Sequence, residues 1–207
     1  MLIRDRSAVA ALTEQRECSA ARAPIRALVN YLKDLTSPLA DGRNIRFAQV
    51  TEQKAEPEVE SAYPSAAVFT DGSIAYSEDS YLDLYSDESM RLAPDKVLVL
   101  AAELMQTATV HVWAEEEAHR DQLLVMLEDA FDPVEWMPGF MLEMPHYHNA
   151  RAVCLAREVA IEDVDTDNMR RYRKMTWRVQ MHSPKFVLHN TPVLTPRVVL
   201  DVRKRQE

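Results

Sequence analysis

Residues 109–131, TVHVWAEEEAHRDQLLVMLEDAF, change hydrophobic period partway through. Val110 and Val112 alternate with His111 and Trp113, the two-residue period of a strand. Further on, Leu123, Leu124, Leu127, Ala130 and Phe131 recur at steps of three and four, the stripe of a helix. The spacing predicts a strand over 109–113 running into a helix over 115–131. No glycine or serine stands at the junction, where an enzyme of this layout usually keeps small residues or a nucleophile. Glu115, Glu116 and Glu117 stand there instead. Carboxylates in a first helical turn are favoured by the positive end of the helix dipole, by about 0.3–1 kcal/mol each. That role requires no chemistry.

Upstream, residues 7–36 read as helix in two pieces. Pro24 suits a first-turn position, and after it Ile25, Leu28, Val29, Leu32 and Leu35 form one apolar stripe. Pro38 and Gly42 then break the helix, and NIRFAQV (44–50) reads as a strand with Ile45 and Phe47 on one face. SAAVFT (65–70) and SIAY (73–76) flank Asp71-Gly72, a type I′ hairpin signal. Residues 52–92 are acidic and read as an excursion with a few anchoring aromatics. DKVLVLAAELM (95–105) is a continuous apolar run, as in a strand buried on both faces.

Downstream, three long strands are expected. In 152–162 the odd positions Val153, Leu155, Val159 and Ile161 share a face, broken by Arg157. In 175–181 Met175, Trp177, Val179 and Met181 oppose Thr176, Arg178 and Gln180. In 197–203 Val198, Leu200 and Val202 oppose Arg197, Asp201 and Arg203. Strands cluster late and helices are few. The fold class is therefore α+β, a mixed or antiparallel sheet packed against an N-terminal helix and the central helix at about 115–131. A single domain over 1–207 carries the acidic excursion at about 52–92.

The totals exclude several classes. With 207 residues and 47% apolar content, the chain can bury a core without staples. A net charge of −9 disfavours a general nucleic-acid binder, whose affinity rests on neutralising phosphates. RRYRK (170–174) and RKR (203–205) are basic islands in this acidic chain. Their plain reading is a solvated strand flank and a tail; the sharper one is complementary charge between subunits. No apolar run reaches the length of a membrane span, and the first residues lack a signal-peptide core. Cys18 and Cys154 are too few for a disulfide framework, which points to reduced thiols in a cytoplasm.

His146 and His148, with Cys154, His182 and His189, are the candidate metal ligands, since histidines two apart lie on one side of a strand. Zinc sites usually carry two tight ligand pairs, and here there is one. His111 and His119 with Glu115 or Glu117 are candidates for general-base work, against the plainer reading of helix-start charges. Cys18, beside arginines in the expected first helix, is either an activated thiol or an inert one. Asp71-Gly72-Ser73 lacks the flanking glycines of a nucleotide loop. The strongest binding signal is WMPGFMLEMPHYH (136–148), where Trp136, Met137, Phe140, Met141, Met144 and Tyr147 are adaptable apolar groups of the kind used at interfaces. A loop covering the core accounts for them equally well.

A strand running into the charged helix AEEEAHRDQLLVMLEDAF, after the helical APIRALVNYLKDL and before the closing strand KMTWRVQMHSP, resembles the tail-terminator (tail-completion or neck) proteins of tailed bacteriophages. The resemblance covers about 23–50 and 95–203. It implies an α/β subunit whose copies form a six-membered ring in the virion, assembled in the host cytoplasm. The ring caps the tail tube and joins it to the head–tail connector. The implied partners are the subunit itself, the tube protein, connector or neck proteins, and a sheath or collar protein meeting the acidic excursion. No membrane and no specific nucleic acid are implied. No catalytic residue, metal or cofactor comes with the family. Glu115, Glu116 and Glu117 on one side, and Arg170, Arg171 and Arg173 on the other, are then the expected halves of a repeated subunit contact. Trp136, Met137, Phe140 and Met141 are a second expected contact. A different neck, collar or head-completion role stays open. So do a small metal-dependent enzyme using His146 and His148, and a plain binding domain.

Overall fold

The computed structural model describes residues 11–39, 42–52, 62–77, 90–115, 117–131, 139–165 and 171–190. The expected strands at 95–105 and 109–113 are one element, β7 (Lys96–Ala114), 19 residues long. It pairs antiparallel with β10 (Arg171–Asn190) from Arg173↔Ala114 to Asn190↔Lys96. The 95–105 run is not buried on both faces. Leu98 and Leu104 are fully enclosed, whereas Val99 is 41% exposed.

The main sheet has eight strands in the order β3 (Gln49–Thr51), β4 (Ser65–Thr70), β7, β10, β9 (Ala150–Asp165), β8 (Phe140–Met144), with β5 (Ala75–Ser77) and β6 (Arg91–Ala93) also on β7. β3 and β4 run parallel and the other pairs antiparallel. The fold is therefore α+β with a mixed, mainly antiparallel sheet. β1 (Thr36–Pro38) and β2 (Asn44–Arg46) form a separate ribbon. The expected strand at 44–50 is thus split between two sheets. Ile45 and Phe47 are nonetheless both buried, as their alternation implies.

α1 (Ala23–Asp34) touches β8 near one end of the strand order and β3 and β4 near the other, so the sheet curls around it. Ile25, Leu28, Val29 and Leu32 are buried there, with Ala23, Pro24 and Ala27 enclosed on the helix's other sides. α2 (Glu117–Phe131) packs on β7, β1 and β2 through Leu123, Met126, Leu127 and Phe131. The two helices meet where Tyr31 Oη donates to the Ala130 carbonyl at 2.8 Å. The Phe131 ring also stacks on Phe140 and meets the edge of Trp177.

Two local expectations are overturned. Residues 11–22 do not continue α1 as a first helical piece (7–10 lie outside the described residues). Residues 11–18 form a strap along the turn at 146–148, and 19–22 turn into α1: Thr13 N–H donates to His148 O at 3.0 Å, His148 N–H to Gln15 O at 2.6 Å, and Glu17 N–H to His146 O at 2.9 Å. Leu12 and Ala20 are the buried apolar residues of 11–22, too few for a helical stripe, so the backbone groups of the strap find partners on another segment. The Asp71-Gly72 hairpin is not made either. β4 and β5 both pair with β7, end to end, from Ser65↔Trp113 to Thr70↔Ala108 and from Ala75↔Met105 to Ser77↔Glu103. Gly72 does take a positive φ of 83°. Asp71 Oδ1 accepts from the Ser73 backbone at 2.8 Å and hydroxyl at 2.7 Å. The turn makes a step in one edge because β7 is long enough to pair with both arms.

Candidate functional site

β7 runs to Ala114 and α2 begins at Glu117, so the strand-to-helix junction is as tight as the sequence implies. Arg120 Nη2 donates to the Glu115 carbonyl at 3.1 Å, tying the first helical turn back to the junction. Glu116 and the Glu117 side chain lie outside the described residues, as do Arg170 and the Arg171 side chain. Arg173 stands directly opposite Ala114, the residue before Glu115. Arg173 bonds Asp121 of α2 at 2.7 Å and Asp163 of β9 at 3.0 Å. The Asp163 bond, then Asp121, hold its guanidinium pKa above the ordinary value. Arg173 is therefore an internal clamp of α2 onto the sheet.

The histidines are not brought together. His146 is buried, and its Nε2–H donates to the Ala23 carbonyl at 3.0 Å, at the first turn of α1. His148 Nδ1–H donates to the Thr13 carbonyl of the strap at 2.9 Å. Burial holds His148 below the ordinary histidine pKa, with Arg16 helping and the Thr13 bond opposing. Cys154 is wholly buried on the inner face, and its thiol pKa is pushed far up by desolvation. His182 bonds Glu103 at 2.5 Å, while His189 is at the exposed far end of β10. Among the described residues no three His, Cys, Asp or Glu groups are arranged to hold a metal. His111 lies edge-on to Phe69, and His119 is on α2. Cys18 belongs to the strap, not a helix. Desolvation raises its pKa despite Arg26 and Arg22, which favours the inert-thiol reading.

The Met-rich segment divides. Trp136 and Met137 lie outside the described residues. Phe140 is 4% exposed and stacks between Tyr31 and Phe131, so it belongs to the chain's own core. Met141, one residue on, is half-buried on the opposite face of β8. Met144 and Tyr147 are buried too, and Tyr147 Oη accepts the Phe186 N–H at 3.0 Å. The described part is neither a contact surface nor a covering loop: Phe140–Met144 are strand β8 of the main sheet, with Phe140, Leu142 and Met144 in the core. An open depression lined by Ser19, Arg22, Glu52, Phe69, Thr70 and Gln106 lies beside the β4–β5 step, with the Arg22–Glu52 ion pair (2.9 Å) on its wall. It holds no further charged cluster.

The feature that alternation alone does not reveal is the outer edge of β9. β8 pairs with β9 only over Ala150–Cys154, so among the described residues the edge from Leu155 to Asp165 has no strand beside it. Arg157 marks a bulge: Val179 faces Ala156 and Arg178 faces Glu158. Past it, Val159 and Ile161 lie beside Trp177 and Met175 but are 46% and 47% exposed. The apolar inner face thus continues to an edge where no described element covers it.

Compared with models of known protein families and with curated proteins, the chain matches none. No described helix is long and apolar enough to cross a membrane.

Proposed function

We propose that this chain is a structural subunit that joins copies of itself into a ring, and specifically a tail terminator capping the head-proximal end of a phage tail tube. The observation that carries the reading is the edge of β9 that no described element covers, with Val159 and Ile161 exposed on it. Monomeric proteins usually blunt or cover a long apolar edge, and one left open is a template for pairing with another chain. A contact between two different surfaces of one subunit closes into a ring when the rotation permits. The mechanism is geometric: the ring occupies the last tube layer and presents a new surface to the connector. Six copies, and the tube and connector as partners, follow from the resemblance to tail terminators. The metal-dependent alternative has less support, because among the described residues no third His, Cys, Asp or Glu group joins His146 and His148 in an arrangement that could hold a metal.

Native mass measurement over a range of concentrations, with negative-stain images of the same sample, tests this. A closed ring is the expected outcome, and its pull-down of purified tail tubes the next one. A monomer that neither assembles nor binds tube ends would sink the proposal.

A further inference from the structure

The strap over the 146–148 turn lies on the surface of the molecule. Of residues 11–18 only Leu12 is buried, and Cys18 is half-buried. Two ion pairs tie it down, Lys96–Glu14 at 2.7 Å and Arg26–Glu17 at 3.5 Å, but all four side chains are well exposed, where such pairs contribute little. The remaining hold comes from the turn. His148 makes three bonds to the strap: its N–H donates to Gln15 O, its carbonyl accepts the Thr13 N–H, and its ring Nδ1–H donates to Thr13 O at 2.9 Å. Asn149 adds a side-chain bond to the Ala11 carbonyl at 3.0 Å. Both residues have positive φ, a conformation that side chains other than glycine's rarely adopt and that persists where surrounding contacts hold it. Here it turns two adjacent side chains onto one segment.

We infer that residues 11–18 are a detachable strap that opens as one unit about the 19–22 turn and uncovers a ready-made ledge at Tyr147, His148 and Phe186, while the sheet stays folded. The hinge is built with α1, not with the strap. Ser19 O accepts the Arg22 and Ala23 N–H groups at 3.1 and 3.0 Å, and Pro24 fixes the first helical turn behind them. The ledge likewise holds itself. Tyr147 and Phe186 stack with centroids 6.4 Å apart, and the Tyr147 hydroxyl accepts the Phe186 N–H. The His148 ring meets Tyr147 edge-on at 4.7 Å, and the Tyr147 N–H donates to Met144 O at 2.9 Å. None of these contacts uses the strap, whose Arg16 guanidinium lies over the Tyr147 ring, 5.9 Å from its centroid. Opening bares the rings and three backbone groups, the His146 and His148 carbonyls and the His148 N–H. A segment with one buried apolar residue and surface backbone bonds belongs to the low end of a protein's range of opening free energies.

Residue-resolved amide hydrogen exchange on the full chain, repeated in low urea, tests this. The Thr13, Glu17 and His148 amides are expected to share one protection factor with little urea dependence, at least about 100-fold below those of Met175–Met181 on β10. His148→Asn keeps a residue that tolerates the left-handed conformation but removes the ring's bond to Thr13. It is expected to lower protection of Thr13 and Glu17 about tenfold and to leave β10 unchanged. Three amides with different protection factors overturn the single unit. Protection equal to that of β10 overturns the separate opening, as does a His148→Asn chain that loosens strap and β10 alike. The wild-type exchange decides alone where the variant does not fold.

Discussion

At the residue scale, several side chains that look chemical in the sequence are structural fasteners. His148 sits in a left-handed backbone conformation with Asn149, φ 53° and 54°, and the Ala150 N–H closes the turn on Tyr147 O at 3.0 Å. That conformation aims the ring at Thr13 and turns a candidate ligand into the anchor of the strap. Because burial lowers its pKa, the folded state prefers neutral His148 while the unfolded chain protonates near pH 6.5. Its contribution is fully present above that value and is lost as pH falls through it toward the depressed folded value. Melting temperature from pH 7.5 to 5.5 is expected to fall less in His148→Gln than in the wild type. Equal slopes would remove the histidine from the explanation. Gly139 is a second such position. A Cβ there would lie 2.0 Å from the Cys154 carbonyl, so Gly139→Ala must push β8 off β9. A loss of several kcal/mol is expected in denaturant unfolding, at the high end of single substitutions.

At the element scale, the stripe on α1 was readable because its period is local. Ile25, Leu28, Val29 and Leu32 are all buried, and Leu28→Ala is expected to cost about 2–5 kcal/mol by urea unfolding. The Tyr31 hydroxyl bond to α2 was not readable, since it joins residues far apart in sequence. Tyr31→Phe is expected to cost about 1–3 kcal/mol, because it leaves the part-buried Ala130 carbonyl without that donor. The single face expected for Val153, Leu155, Val159 and Ile161 is overturned: the bulge at Arg157 switches sides, so Val153 and Leu155 lie opposite His182 and Gln180, whereas Val159 and Ile161 lie opposite Trp177 and Met175. The Asp71-Gly72 turn shows the limit. The local signal for a tight turn was right, as the positive φ of Gly72 shows, but the partner of each arm was not local. A 19-residue β7 offers more pairing length than a short hairpin, and β4 and β5 take places along it.

At the scale of the whole molecule, one of the charged groups expected to meet a neighbouring subunit, Arg173, has an internal role as well. Arg173 is held by Asp121 and Asp163 of its own chain and clamps α2 against β9 and β10. Arg173→Ala is therefore expected to lower monomer stability by about 1–2 kcal/mol, with Asp121 contributing less because it is exposed. Charge reversal at Glu115, Glu116 and Glu117 separates this internal role from an external one. If these residues meet a neighbour, the reversed variant loses assembly, measured by native mass, while its melting temperature holds. Unchanged assembly would restrict them to the helix dipole.

The sequence by itself determined the α+β class, the stripe of α1, the strand-to-helix junction at 114–117 and the alternation of Met175, Trp177, Val179 and Met181 on β10. Each depends on a period repeated over neighbouring residues, which local backbone geometry imposes. Only the tertiary structure decided that two runs fuse into β7, that the strap lies on the 146–148 turn, that the sheet curls around α1, and that β8 pairs with β9 only over Ala150–Cys154 among the described residues. Those outcomes depend on which distant strands pair and how far each pairing extends. Pairing length is a property of both partners together, and no single stretch of sequence carries it.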